Sequence, residues 1–524
     1  MDNNSFFKYV FVVVVIFLII FTGYILIKNN SKSETVTLDQ TSTTNLIQTD
    51  LRFAIAGIDT INPILSNNRN VIEITKIIYE PLVTLNENFK LEYCLANEVA
   101  KIDNLTYVLK LRKNVLWQDG SEFNAEDVKF TIDTIKNTNT IYGENLKYVT
   151  GLEIIDAHTV KIILSEEVHF FEYNLTFPIM CQKYYEEDFV NKIPIGTGLF
   201  QIASIENNII KLVKNENYWN TEKKPMVKEI NINLYGTIGE VYNAFKSGDI
   251  DILNIKIPNV ENYIGTIGYN RIEYKTREYD FLSFNTLSPM FIEPEVRRAL
   301  SLIIDKNALI AICLGSGYVV SNFSLDMGNW LYTRDLNVIS STEEASQILE
   351  ADEWQYRNNT WQKNIDGRIV TLAFTITVNN NNAKRVQVAE NIAEQFRSFG
   401  IYVNVNQISP ERYIDALNNK NYECILAGLE LGFSPNLDTF FGNGNIANYS
   451  NPEVMEIMNI VSNATDESIL YEKYNRLYDI YLSEAPYIGL YRTTDLIICH
   501  QGLVGNIRPN AFNIYHNIEK WYRQ

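Results

Sequence analysis

The chain has 524 residues, 46% of them hydrophobic, 21% charged and 12% aromatic, which is long enough for two or three packed units and too balanced for low-complexity disorder. Its formal charge of −18 argues against nucleic acid as a partner, because phosphate binding needs clustered Lys and Arg. An acidic, Tyr-rich surface is compatible with binding small polar or cationic solutes.

The first element is an uncharged run from Val10 to Ile27, preceded by Lys8 and followed by Lys28 and Lys32. As a helix it reaches roughly 27 Å, close to the hydrocarbon thickness of a bilayer. A secretory signal peptide is the competing reading, but Thr22 to Leu26 offer no small-x-small cleavage site. The first cysteine is Cys94, so no nearby thiol carries a lipid anchor. An uncleaved membrane helix is therefore the favoured expectation, and its flanking charges hardly decide orientation. Residues 29–50 are polar and read as a spacer.

Mixed strand and helix signals follow. Thr106 to Leu111 alternates like a half-buried strand, and Asp119-Gly120 marks a turn. Asn124 caps a predicted helix in which Val128, Ile132 and Ile135 share one face. A short helix is expected over Glu240–Lys246, stopping near Gly248, then a strand over Ile250–Ile255. Glu295–Ile304 is amphipathic, and Asp305 caps a second helix running toward Gly315. Lys384–Phe399 reads as a helix stopped by Gly400, after which Ile401, Val403 and Val405 alternate with polar residues. Leu470, Tyr474, Leu477 and Tyr481 mark a last helix. The fold class is α/β in more than one lobe.

No residue pattern demands catalysis or a metal. The five cysteines (Cys94, Cys181, Cys313, Cys424, Cys499) are far apart, without a CxxC or a disulfide framework, and read as buried single thiols. The four histidines (His158, His169, His500, His516) form no zinc pattern. Trp117 reads as a core aromatic, and Glu126 and Asp127 as carboxylates favoured in the first turn of a helix. Gly196-Thr197-Gly198 is too short for a phosphate loop and lacks the following Lys. A structural ion pair is expected for Arg297 and Arg298. Asp249 and Asp251, two apart in a probable strand, should face one way without making a metal site. No cofactor and no enzyme activity are expected.

Several blocks in order nevertheless carry a resemblance: INPIL (61–65), IIYEPLV (77–83), LKLRKNVLWQDGSEFNAEDVKFTID (109–133), PIGTGLFQI (194–202), KNENYWN (214–220), FKSGDIDI (245–252), FNT (284–286), VRRALSLIIDKNALI (296–310), GIYVNVNQIS (400–409) and NYSNPEV (448–454). From about Leu51 onward the chain resembles the family 5 extracellular solute-binding proteins of the oligopeptide, dipeptide and nickel type. The resemblance implies a two-lobe, periplasmic-binding-protein-like α/β fold (class II type) with an additional subdomain. The expected division is an N-terminal membrane anchor or signal segment over 1–28, a polar linker over 29–50, lobe I from 51–85, 195–285 and 490–524, an inserted subdomain over 86–194, and lobe II over 286–489. It also implies a monomer that traps a peptide between lobes and passes it to ABC permease subunits with a cytoplasmic ATPase. A nickel chelate, an oligosaccharide, or a tethered sensor role without transport are the alternatives.

One stretch departs from the family pattern. Peptide-binding members often carry an acidic residue in a W-x-A-D-Y-like segment that pairs with the peptide ammonium. Here, in AGLELGFSPNLDTFF (427–441), Leu429 stands near the Trp position and Gly432 near the Asp position. Glu430 is the candidate replacement, since a desolvated ammonium needs a charged partner. Asn62, Tyr279, Phe281 and Phe433 are further candidates for the cleft wall.

Overall fold

The computed structural model describes residues 50–185, 193–256, 265, 267–325, 328–334, 336 and 338–524. The helix expected over Val10–Ile27 lies outside the described residues. Among those residues no helix is long and apolar enough to cross a membrane.

The first body is built on two four-stranded sheets. In one, Asp50–Ala56 runs parallel to Glu229–Tyr235, followed in order by Ile209–Lys214 and Phe200–Glu206. The other is antiparallel, in the order Ala96–Asp103, Thr106–Leu111, Thr159–Leu164 and Val149–Asp156. The alternation expected at Thr106–Leu111 is realised, with Tyr107, Leu109 and Leu111 buried. The helix Ala125–Asn137 buries Val128, Ile132 and Ile135 in the same core. Asn124 Oδ1 accepts from the Glu126 amide at 2.8 Å, and Asp127 Oδ2 accepts from the Asn124 amide at 2.9 Å, forming a capping box.

The second body is built on a seven-stranded sheet. Its order is Ile252–Ile255, Tyr487–His500, Tyr269–Phe284, Cys424–Glu430, Ala373–Asn379 and Tyr402–Ile408, with Tyr318–Val320 paired to the second of these. Both faces are covered, as the long apolar strands require. Leu282 and Phe284 face a core shared with the helices Pro294–Ile303 and Ala383–Ser398. Tyr279 and Phe281, one position out of phase, face a second core under the helices Pro452–Asn463 and Glu467–Glu484.

Tyr269–Phe284 and Tyr487–His500 link the two bodies. Tyr274, Ile497 and Cys499 sit in the core of the first body, while Leu282, Phe284, Ile488 and Leu490 sit in the second. The pairing slips where the strands change body: Lys275 faces Thr494 but Tyr279 faces Arg492. Thr276, Arg277 and Glu278 thus stand against Thr493, an irregularity that re-aims side chains out of the ladder.

Several motif residues turn out to be structural. Buried Glu80 accepts from the Thr197 hydroxyl at 2.8 Å, the Tyr218 hydroxyl at 2.7 Å and Trp219 Nε1 at 2.7 Å. Three of the sequence blocks meet at this one carboxylate, whose pKa burial pushes up. Trp117 Nε1 donates to Asp127 at 3.1 Å, so Asp127 is a buried hub and not only a first-turn charge. A Cβ on Gly196 would lie 1.9 Å from the Ile78 carbonyl oxygen, so glycine there serves backbone packing. All five cysteines are free and buried.

Two expectations fail. Among the described residues Arg297 makes no carboxylate contact of the kind foreseen; its guanidinium donates to the carbonyls of Glu484 at 2.9 Å and Ile292 at 2.9 Å. Asp249 and Asp251 do not share a face, because they precede the strand Ile252–Ile255. Asp249 stays exposed beside Ser247, whereas Asp251 turns inward to Arg52 at 2.6 Å.

Candidate functional site

A cavity of about 590 Å³ lies where the bodies face each other, with a second of about 250 Å³ adjoining it. The first body contributes Arg69, Glu73 and Lys76 from the helix Arg69–Thr75 and its C-terminal cap. That helix starts at Asn68, whose Oδ1 accepts from the Asn70 amide at 2.9 Å. The slipped segment contributes Thr276, Arg277 and Glu278. The second body contributes Glu430, Gly432 and Phe433, which continue from the end of the strand Cys424–Glu430.

The seven candidate residues separate into two groups. Leu429, Glu430, Gly432 and Phe433 stand together on the cavity wall, Leu429 on the smaller chamber alone. Asn62, Tyr279 and Phe281 do not reach it. Asn62 is buried and closes its own turn, accepting from the amides of Ile64 at 2.9 Å and Leu65 at 3.2 Å. Tyr279 and Phe281 are fully buried on the sheet face that packs Phe440 and Tyr487. Strand alternation puts both on the same side, so where one is core the other is too.

Every charge on the wall of the larger chamber has a partner of opposite sign, while Arg492 on the smaller chamber donates to the Ser321 hydroxyl at 3.0 Å and the Ser324 carbonyl at 3.1 Å. Lys76 Nζ lies 2.7 Å from Glu73, and Lys256 lies 3.3 Å from Glu278. Arg69 reaches Asp495, a buried residue of the second linking strand, at 2.6 Å. Glu430 is ion-paired to Arg277. The Arg277 guanidinium also donates to the Leu431 carbonyl at 3.1 Å and covers the Phe433 ring at 4.2 Å. Sequence reasoning missed Arg69, Glu73, Lys76, Lys256 and Arg277. The polar run Lys275-Thr276-Arg277-Glu278, set between the hydrophobic ends of one strand, was the available signal for Arg277.

The rim is bridged by contacts between the bodies. His169 Nδ1 lies 3.0 Å from Asp438, and this hydrogen bond holds the imidazole pKa above its ordinary value. Lys90 pairs with Glu467 at 2.7 Å, and Lys101 donates to Asn463 Oδ1 at 3.2 Å. Trp330 donates its amide to the Asn88 carbonyl at 2.9 Å. Phe433 packs between Phe89 and Phe512, with ring centroids at 6.1 and 5.0 Å.

Comparison with known proteins assigns the family. A model described as bacterial extracellular solute-binding proteins, family 5 Middle, matches residues 90–448. The chain belongs to this family. Among its relatives, the oligopeptide-binding protein AppA of Bacillus subtilis is 23% identical, over 88% of this chain and 89% of AppA. The periplasmic murein peptide-binding protein MppA of Escherichia coli is 23% identical, over 81% of this chain and 84% of MppA. The family 5 fold is seen in solved structures as well. The unliganded open form of MppA superposes with a TM-score of 0.77 at 19% identity, covering 91% of this chain and 97% of that one. NikZ of Campylobacter jejuni, solved with Ni(L-His), gives 0.57 at 22% identity, covering 91% and 100%. The family 5 architecture is a two-lobe α/β receptor on the extracytoplasmic side, and the two bodies with the cavity between them follow it.

Proposed function

We propose that this chain captures peptides in the cavity between its two bodies and delivers them to an ABC-type permease. The observation that carries the reading is the pair of adjoining chambers, 590 and 250 Å³, reached by both bodies at the point where the linking strands cross. Chambers in series suit an extended chain whose main-chain groups make the common contacts while side chains enter separate pockets. Gly432 fits this role. A Cβ there would meet nothing nearer than the Ser434 amide at 3.8 Å, so the missing side chain leaves room for a ligand and is not needed for packing. The names of the relatives, an oligopeptide-binding and a murein peptide-binding protein, support the same class of cargo.

In this reading residues 51–85, 195–285 and 490–524 form lobe I with 86–194 as its subdomain, and 286–489 form lobe II. The linking strands are the hinge, and the rim contacts hold the closed form. Val10–Ile27 tethers the receptor to the membrane with the body outside, and the protein acts as a monomer beside permease subunits with a cytoplasmic ATPase. It is a receptor and not an enzyme. Mass spectrometry of what co-purifies with the folded body, residues 45 to 524, tests this. A mixture of short peptides is the expected result. A single nickel chelate or an oligosaccharide would overturn the peptide reading and leave the fold as described.

A further inference from the structure

We propose that Arg277 receives a carboxylate of the bound ligand and that Glu430 is the built-in occupant which this carboxylate displaces. The inference rests on the reading of the cavity as the capture site and narrows its ligand to carboxylate-bearing peptides.

The two partners of the ion pair are held very differently. The Arg277 side chain is 32% exposed, while that of Glu430 is 64% exposed. Arg277 leaves a strand whose register slips at this point, and its main chain accepts from the Leu431 amide at 3.0 Å. Its guanidinium is fixed twice more, by the Leu431 carbonyl and by the Phe433 ring. Phe433 in turn is wedged between Phe89 and Phe512 of the other body. The cation therefore stays where it is when its partner leaves. Among the described residues Glu430 has a single ion-pair partner, and it is largely exposed, so rotating it away costs little, since an ion pair at the surface contributes little.

A planar guanidinium offers five N–H donors in a fork that matches a carboxylate. Nη1 is used by the Leu431 carbonyl and Nη2 by Glu430. An incoming carboxylate can take over the Nη2 hydrogen bond without disturbing the stack on Phe433. The position is central: Arg277, Glu430 and Phe433 line both chambers, so a ligand extending from one into the other passes the pair.

The rest of the wall agrees. Its cations are Arg69, Lys76, Lys256 and Arg277, with Arg492 in the smaller chamber, and its carboxylates are Glu73, Glu278 and Glu430. In a chain of net charge −18 this is a locally cationic lining. Glu73 is held by Lys76 and by the Ile514 amide at 3.2 Å, and Glu278 by Lys256. With Glu430 on Arg277, each of these three carboxylates already has a cation, so a ligand ammonium would have to break a pair that a ligand carboxylate replaces.

The test is equilibrium binding, by calorimetry on the full-length protein, of four pools of tri- to pentapeptides: unmodified, N-acetylated, C-amidated, and blocked at both ends, all built from residues without acidic side chains. C-amidation should weaken binding about tenfold or more, as for loss of a charge-assisted bond, and N-acetylation should change it little. Glu430→Gln should tighten the unmodified and N-acetylated pools several-fold, because the internal competitor is gone. Arg277→Met should erase the difference between acid and amide pools. Because Glu430 is exposed, Glu430→Gln keeps the fold and carries the test if Arg277→Met does not fold. Equal binding of acid and amide pools, or weaker binding of the unmodified pool to Glu430→Gln, overturns this inference and leaves peptide capture standing. Binding of no pool overturns both.

Discussion

At the scale of single residues, the described part of the molecule places some charged groups for architecture at a cost. Lys306, the first residue of the helix Lys306–Cys313, is buried with its ammonium on the Asn322 side-chain carbonyl. Burial pulls its pKa down to about 7 from 10.5. The unfolded chain thus holds a proton that the folded chain gives up between those values. Stability should rise with pH across that window and level off above it. Lys306→Met removes the linkage, so thermal melts between about pH 7 and pH 9 should show a higher Tm at the acidic end and a flatter slope than the parent. Parallel slopes for the two proteins would count against the assignment. Gly196 is the opposite case, a residue chosen for what it lacks. Gly196→Ala drives a methyl into the Ile78 carbonyl and should destabilise by about 2 kcal/mol or more, read from denaturant midpoints.

At the scale of elements, caps and turns were placed well by local chemistry. Asn124, Asp305 and Gly248 bound their helices where side-chain acceptors and glycine punctuation put them. Asn124→Ala should lower stability by about 1 kcal/mol through loss of the cap, with the helix still present by circular dichroism. Strand faces were harder. The aromatic side chains of Tyr279 and Phe281 read equally well as pocket wall or core, because alternation says only that they share a face. Which face carries the helix Glu467–Glu484 is decided by residues nearly two hundred positions away. The same holds for Asp249 and Asp251, whose separation depends on where the strand starts.

At the scale of the whole molecule, a ring of modest contacts joins the two bodies at the rim. The His169–Asp438 pair joins the two bodies at the rim, flanked by Glu167 and Lys101. Hydrogen bonding to Asp438 raises the imidazole pKa above 6.5, so the pair's contribution is complete below that value and is lost as pH rises through the raised one. Side-chain exposures of 21% and 41% limit it to about 1 kcal/mol or less. Small-angle scattering without ligand should therefore show the closed form less populated at about pH 8 than at about pH 6, and His169→Gln should abolish that difference. A parent protein whose scattering does not change with pH would refute the latch.

What the amino-acid order determined by itself is the inventory: the cap residues, the apolar periods, the glycines that allow close approach, and the blocks around Glu80, Trp117 and Asp305 by which the family is read. These depend on neighbours a few positions apart, or on residue types that recur in a fixed order. Tertiary structure decided the site. Glu430 was legible as a carboxylate near a pocket, but its pairing with Arg277 depends on the register between two strands far apart in the chain, which sets Glu278 opposite Glu430. Partners brought together across 153 positions leave no local pattern, so the charge state of the cavity is visible only once the sheet has formed.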